Sequence, residues 1–281
     1  MITETIDLLS YFGLKRKDEK NGKLVVYRHS AMPEMGDAIA HRPAMLVIPG
    51  GGYSIVSQRE ADPVAWEYFV EGYDVFVLQY DIAPLTYPAQ ITQAAMAMMY
   101  IRKNAEQFHI LPDKIAAIGF SAGGHLLGCI STLWDDPAVR DLFGDECVKV
   151  RPDASVYSYA VISSDPKIAH LGSFENFCGK AVNADDYSID KKVRPACKPA
   201  FIWANTPDTC VPPQNSLRLY EAYLNAGVPV ELHIFREGWH GMSVCKEEIE
   251  HTRPVSEPCI YTRQWIQLCK TFLKTLGFCV K

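Results

Sequence analysis

Six short runs of almost unbroken apolar residues recur along the chain, and stretches with helical spacing lie between them. Each run has the length of a strand, and a strand that is apolar on both sides needs cover on both faces of its sheet. Such strands, alternating with helices, predict an α/β chain with a doubly wound, mainly parallel sheet and helices on both faces. The predicted strands are Ala44 to Ile48, Val75 to Tyr80, Ile115 to Gly119, Ser155 to Ile162, Phe201 to Ala204 and Val230 to Phe235.

Three segments between or after these runs predict helices. In the first, Pro88 suits a helix start, and apolar residues follow at helical spacing as far as Ile101. The second begins near Pro213 and ends before Gly227, a residue typical of the position just after a helix. The third covers Arg263 to Leu276. Alternation of strand and helix therefore continues to the end of the sequence.

The length of 281 residues is large for a domain, yet α/β chains of this size commonly form one unit. We therefore expect a single domain over residues 1–281. The stretch from about 165 to 195 has no clear periodicity and is too long for an ordinary connection. We expect it to form a short rim or lid insertion, without the broad apolar face of a lipase lid helix.

The charge balance disfavours nucleic acid as a partner, because 28 basic residues face 33 acidic ones and the net charge is −5. The N-terminus carries Glu4 and Asp7 where a secretory signal would be basic, and the longest apolar runs are too short to cross a bilayer. Nine cysteines without a CxxC pair are typical of reduced thiols. These features predict a cytoplasmic protein that does not bind a membrane.

The sequence "IAAIGFSAGGH", residues 115 to 125, places Ser121 between Gly119 and Gly123, where a predicted strand gives way to a helix. A serine on so tight a turn has a strained backbone, and it crowds the positions two residues before and after it. Glycine at both positions relieves that crowding. We predict that Ser121 is a nucleophile; the alternative is a glycine-rich turn that binds phosphate.

A serine hydroxyl needs a base to become nucleophilic, and the base needs an acid to orient it. His240 follows the last predicted strand and Asp208 follows the strand before it, so both are expected at the same sheet edge as Ser121. The chain order serine, aspartate, histidine is the one expected on this type of sheet. His125 and His233 lie inside predicted elements and are expected to be structural, whereas Asp165, which also follows a strand, stays open as an alternative acid.

The oxyanion of the tetrahedral intermediate needs backbone amide donors. One is predicted to be the amide of Ala122 at the start of a helix. Others are predicted in "LVIPGGGY", where glycines follow a strand and bring their amides close to a ligand. Gly51 and Gly52 are the predicted donors, although the sequence leaves open which amides of residues 50–52 act.

Taken together, these motifs resemble the α/β-hydrolase fold esterases across nearly the whole chain, and more narrowly the bacterial carbohydrate acetyl esterases. The matching segments are "PGGGY" (49–53), "GFSAGGHL" (119–126), "HLGSF" (170–174), "VPPQNSLRLYEAYLNAGVPVELHIF" (211–235) and "GWHG" (238–241). Two positions depart from the pattern. Pro49 replaces the histidine that precedes the glycines in the hormone-sensitive-lipase group, and Pro207 stands where relatives often carry a second acid.

The resemblance implies a serine carboxylic ester hydrolase that forms an acyl-enzyme and uses no cofactor and no metal. Its expected partner is a small ester, most simply an acetylated sugar or oligosaccharide, with Tyr53, His170, Ser173 and Phe174 as expected substrate contacts. An amidase or peptidase of the same fold, and a short-chain carboxylesterase with non-carbohydrate substrates, remain alternatives. A catalytically inactive binding module would be expected to have lost a member of the triad. A homo-oligomer is compatible with the sequence.

Overall fold

The computed structural model describes residues 1–15, 22–31, 33–35, 41–249 and 257–281. One eight-stranded sheet runs through it, in the order β1-β2-β4-β3-β5-β6-β7-β8. The strands are β1 Ile2–Asp7, β2 Lys23–Arg28, β3 Arg42–Ile48, β4 Asp74–Gln79, β5 Ile110–Phe120, β6 Ala154–Ser158, β7 Ala200–Asn205 and β8 Val230–Phe235. Strands β3 to β8 pair in parallel, which confirms the predicted mainly parallel sheet.

Helices cover both faces of this sheet, as predicted. They are α1 Leu8–Tyr11, α2 Asp62–Phe69, α3 Ala89–Lys103, α4 Ala105–Phe108, α5 Ala122–Thr132, α6 Pro137–Phe143, α7 Leu171–Cys178, α8 Gln214–Asn225, α9 Glu257–Thr262 and α10 Gln264–Thr275. Side chains of α3, α5 and α8 belong to the core on one face, and those of α2 and α10 belong to the core on the other. Among the described helices, none is both long enough and apolar enough to cross a bilayer.

The two cores explain why the inner strands are apolar along their whole length. In β3, Leu46 faces the core that contains α3 and α5, while its neighbour Val47 faces the core that contains α2 and α10. Both side chains are fully buried. Successive side chains of a strand point to opposite faces, so a strand covered twice has no position for an exposed polar residue.

The structure differs from the sequence prediction at the end of β6 and at the pair of β1 and β2. The apolar run Ser155 to Ile162 stays buried throughout, but β6 ends at Ser158 because the backbone of Tyr159 turns into the left-handed region, with φ 37°. Strands β1 and β2 were not predicted. They form an antiparallel pair at one edge, and the alternating pattern "ITETID" of β1 is the signal that a half-exposed edge strand leaves in a sequence.

The segment from 165 to 195 also differs from its prediction, because it contains a helix with one buried face. Phe174 and Phe177 of α7 are buried, and two short 3₁₀ turns follow at Ala184–Tyr187 and Ile189–Lys191. The buried residues of the segment belong to the core that α3 and α5 share, not to a small core of their own. A helix of eight residues is too short to leave a clear periodicity in the sequence.

Candidate active site

Ser121, Asp208 and His240 lie in turns that follow β5, β7 and β8. These strands are parallel, so their carboxyl ends share one edge of the sheet. The three turns therefore converge without any side chain reaching across the protein. This edge is the usual position of ligand sites in open α/β sheets.

The turn at Ser121 has the strained backbone expected of it. Ser121 has φ 51° and ψ −120°, a conformation that L residues rarely adopt. A Cβ on Gly119 would lie 2.4 Å from the carbonyl oxygen of Gly123, and a Cβ on Gly123 would lie 2.2 Å from that of Ile48. Both glycines are therefore required by close backbone contacts, as the sequence predicted.

A chain of two hydrogen bonds joins the three polar side chains. His240 Nδ1 lies 2.7 Å from Asp208 Oδ2, and His240 Nε2 lies 2.9 Å from Ser121 Oγ. The carboxylate of Asp208 can only accept, so Nδ1 carries the proton and Nε2 of the neutral ring accepts from the serine hydroxyl. Asp208 is itself held in place, because its Oδ1 accepts the amides of Cys210 and Val211, each at 2.9 Å. The nucleophile, base and acid that the sequence predicted are thus brought together.

The alternative acid and bases make other contacts. Asp165 forms an ion pair with Arg218 at 2.6 Å. The backbone amide of Lys167, and after it the Arg218 guanidinium, lowers the pKa of Asp165. His125 is buried, and burial lowers its pKa to about 4. Its Nε2 donates to the carbonyl of Tyr187, so Nδ1 accepts from the hydroxyl of Tyr53 at 2.8 Å. His233 contacts Glu231 on its own strand.

The glycine loop after β3 is held by its carbonyl groups. Each of the three glycine carbonyls accepts a hydrogen bond from the protein, so each peptide plane has a fixed direction. In a trans peptide the N–H points away from the C=O, and the amides of the following residues therefore face the opposite side. The bonds are Ser57 N to Gly50 O at 3.0 Å, Ile55 N to Gly51 O at 3.1 Å and Asn176 Nδ2 to Gly52 O at 2.9 Å.

The amides of the same loop are used unequally. Gly50 donates to Glu60 Oε2 at 2.8 Å, so its amide is occupied. Within the described part of the chain, the amides of Gly51 and Gly52 donate to no protein acceptor. Among the residues that the structure describes, none accepts the amide of Ala122 at the first position of α5, where the helix dipole favours negative charge. Three backbone donors are therefore available at this sheet edge.

The four predicted substrate contacts separate into two groups. Tyr53 is fully buried and Phe174 is 4% exposed, and both pack against the ring of His125 beneath the loop. Neither side chain faces solvent, and their expected role as substrate contacts stays a prediction. His170 is only partly buried and lies against Gly52, since a Cβ on that glycine would come within 3.9 Å of His170 Cε1. Ser173 is buried and bonds to His170 Nδ1 through its hydroxyl at 2.8 Å.

The tautomer of His170 follows from these contacts. The backbone amide of Ser173 donates to His170 Nδ1 at 3.2 Å, so this nitrogen is an acceptor and the proton of the neutral ring lies on Nε2. Burial, and after it the neighbouring His240, lowers the pKa of His170 and favours the neutral form. His170 therefore presents an N–H donor of fixed tautomer beside the loop.

Two residues of this region escaped the sequence analysis, namely Glu60 and Tyr159. Glu60 is 3% exposed and accepts from the Tyr159 hydroxyl at 2.7 Å. The ring of Tyr159 meets the imidazole of His240 edge-on, with centroids 4.9 Å apart. A glutamate within the polar segment "SQREADP" is typical of a surface residue, and no local sequence pattern indicates that it is buried.

Known proteins share sequence similarity with this chain. A family model described as BD-FAE matches residues 32–164. An acetylxylan esterase of Xylanibacter ruminicola is 32% identical over 206 residues, which are 70% of this chain and 40% of that enzyme. The chain spans only 33–40% of the length of the first curated relatives it matches.

Solved structures extend the similarity over the whole chain. An acetyl ester-xyloside bifunctional hydrolase from Caldicellulosiruptor lactoaceticus is 32% identical, with a TM-score of 0.77 over 92% of this chain and 89% of its own. MGS-M1, an α/β hydrolase enzyme from a Medee basin deep-sea metagenome, is 30% identical, with a TM-score of 0.76 over 98% of both chains. The chain belongs to the α/β-hydrolase family.

Proposed function

We propose that this protein is a serine esterase that removes small acyl groups, above all acetyl, from a sugar or short oligosaccharide. The observation that carries the catalytic part is the unbroken chain of hydrogen bonds from Asp208 through His240 to Ser121. Free amides at Gly51, Gly52 and Ala122 support it, because an ester hydrolase needs donors where the oxyanion forms.

In the proposed reaction, Ser121 Oγ attacks the ester carbonyl while His240 Nε2 takes its proton. The carbonyl oxygen becomes an oxyanion that accepts from the Gly51, Gly52 and Ala122 amides, and Asp208 stabilises the imidazolium. When the intermediate collapses, the C–O bond to the alcohol breaks and His240 returns the proton to the leaving oxygen. Water, deprotonated by His240, then attacks the acyl-enzyme and releases the carboxylic acid and free Ser121.

The alcohol part of the substrate is assigned to the surface around the glycine loop. A cleft of about 680 Å³ lies beside the loop, lined in part by Ile55, Gln58 and Glu248. Ile55 lies against Gly51 and gives the cleft an apolar surface, and Gln58 and Glu248 give it polar groups. Such a lining suits the apolar faces and the hydroxyls of a sugar. His170 also lies beside the loop, against Gly52, and we assign its Nε2–H to a substrate oxygen.

The names of similar proteins support the sugar ester. One relative is an acetylxylan esterase and one structural neighbour is an acetyl ester-xyloside hydrolase. We propose that the substrate here is of the same chemical class. A cytoplasmic location, a single domain and the state of association stay predictions.

The test measures acetate release from acetylated xylo-oligosaccharides and kcat/KM for acetyl, butyryl and octanoyl esters, alongside an acetyl anilide. A fluorophosphonate probe should label the wild type and leave Ser121→Ala unlabelled. Preference for octanoyl, or no release from any acetylated sugar, would overturn the sugar-ester assignment alone. Faster cleavage of the anilide would favour an amidase, and labelling of Ser121→Ala would remove the nucleophile.

A further inference from the structure

A buried carboxylate that is not part of the Ser121, His240 and Asp208 hydrogen-bond network connects the glycine loop to the surroundings of His240. Glu60 lies in the 3₁₀ turn Gln58–Glu60 and is 3% exposed. Its Oε2 accepts from the Gly50 amide at 2.8 Å, and its Oε1 accepts from the Tyr159 hydroxyl at 2.7 Å. These two hydrogen bonds offset the cost of burying a carboxyl group, and both connect Glu60 to segments of the candidate site.

The first contact fixes the start of the glycine loop. The Pro49–Gly50 peptide is held on both sides, since its carbonyl accepts from the Tyr80 hydroxyl at 2.7 Å and its N–H donates to Glu60. The planes that present the Gly51 and Gly52 amides follow directly in the chain. Rotation of the first peptide would therefore redirect the proposed oxyanion donors.

The second contact reaches the catalytic imidazole. The Tyr159 hydroxyl donates to Glu60 and accepts the backbone amide of Ser243 at 3.0 Å, in the turn that carries His240. The Tyr159 ring lies edge-on to the imidazole, as described above. Its backbone is bound as well, because the Tyr159 amide donates to the carbonyl of Trp203 at 2.8 Å. Glu60 thus braces both the imidazole and the turn behind it.

We propose that Glu60 is a positioning residue that aligns the oxyanion loop, through Gly50, with the base His240, through Tyr159. The inference rests on the proposed esterase function. A carboxylate suits this position because both partners donate, whereas a glutamine would turn an NH₂ group toward one of them. An alignment error of about 1 Å can cost on the order of 100-fold in rate, so the effect should appear in kcat.

The experiment compares Glu60→Ala and Glu60→Gln with the wild type on p-nitrophenyl acetate. We expect kcat to fall about 100-fold in Glu60→Ala and about 10-fold in Glu60→Gln, with KM within about threefold of wild type in both. Partial rescue by glutamine is expected because it keeps one acceptor and the shape of the side chain.

The matched control is Asp74→Asn. Asp74 is also a buried carboxylate with two donors, since it is 1% exposed and accepts from the amide and Nδ1 of His29 at 2.8 and 3.0 Å. It begins β4, at the sheet edge opposite the site. We expect Asp74→Asn to lower the midpoint of thermal unfolding without changing kcat. If kcat fell as much in Asp74→Asn as in Glu60→Gln, both losses would be explained by reduced stability, and the proposal would be overturned.

Tyr159→Phe keeps the test valid if Glu60→Ala does not fold. It removes the hydroxyl but keeps the ring against His240, and we expect kcat to fall about 10-fold with KM unchanged. The double variant Glu60→Gln, Tyr159→Phe should be little slower than the slower single variant, because both belong to one network. Wild-type kcat in the folded single variants, or fully multiplicative losses, would overturn the proposal. A wild type without esterase activity would instead contradict the proposed function.

Discussion

The turns at the carboxyl ends of the strands and the rim segment 165–195 build the same site by different means. The turns hold reactive groups through strained backbone and hydrogen bonds to main-chain atoms, as at Ser121 with φ 51° and in the glycine loop. The rim buries its aromatic side chains, and His170 and Asn176 are rim residues that contact the glycine loop. We therefore assign the proposed chemistry to the turns and contact with the substrate to the rim.

The largest effects are expected in the turns, at Ser121 and His240. Ser121→Ala or His240→Ala should lower kcat on the order of 10⁶-fold with the fold intact, because the residues of such a triad act as a unit. For the same reason the double variant should be no slower than either single one. Steady-state kinetics on p-nitrophenyl acetate, with circular dichroism to check folding, measure this. Activity near wild type in Ser121→Ala would move the nucleophile elsewhere.

Asp208→Asn should be the next largest, at about 10⁴-fold in kcat, because the amide cannot hold the imidazole in the required tautomer. Asp165→Asn is the matched change, since Asp165 also follows a strand but pairs with Arg218. That partly exposed pair contributes little, and we expect kcat within about threefold of wild type. If the two variants exchanged places in this ranking, the acid would belong to the turn after β6.

This contrast between turns and rim also explains what the sequence could predict. Ser121, Asp208 and His240 could be predicted to lie together because each is a reactive residue type in a short segment that follows a strand, with glycines beside Ser121 and His240. The burial of Tyr53 and Phe174 could not be predicted, because exposure depends on what packs over a side chain, which for both is His125, distant in sequence. Glu60 was missed for the same reason, since its partners Gly50 and Tyr159 come from two other segments.

In the glycine loop, adding one methyl group should affect Gly51 much more than its neighbour Gly52. Gly51 has φ 116°, and a Cβ there would lie 2.3 Å from the Ile55 carbonyl oxygen, so Gly51→Ala must shift the loop. We expect kcat/KM to fall about 10²- to 10³-fold, as when one oxyanion donor is lost. Gly52 has φ 64°, and a Cβ there would lie 3.7 Å from its nearest neighbour, Ser54 Oγ, which is an ordinary contact distance. Gly52→Ala should therefore cost about 1–2 kcal/mol in stability, because of its backbone angle, and less than about 10-fold in kcat/KM. Equal losses in both variants would contradict this loop geometry.

The smallest expected effect belongs to the rim. His170→Ala removes an N–H donor assigned to the sugar, and one such hydrogen bond is worth about 0.5–1.5 kcal/mol, or roughly 2- to 10-fold in kcat/KM. The loss should appear with an acetylated xylo-oligosaccharide and not with p-nitrophenyl acetate, whose leaving group offers no sugar hydroxyl. Phe174→Ala should instead affect stability and not substrate preference. It leaves a cavity in the buried core and should cost about 3–5 kcal/mol in the free energy of unfolding.

His170 also caps α7, since its Nδ1 accepts the Ser173 amide, and a lost cap costs about 1 kcal/mol by itself. His170→Asn separates the two roles, because asparagine is a good N-cap yet cannot place an N–H where the imidazole Nε2 lies. We expect His170→Asn to restore the unfolding midpoint lost in His170→Ala while the preference for the acetylated sugar stays reduced. Recovery of that preference together with stability would limit His170 to capping, and the rim would then provide no polar contact to the substrate at this position.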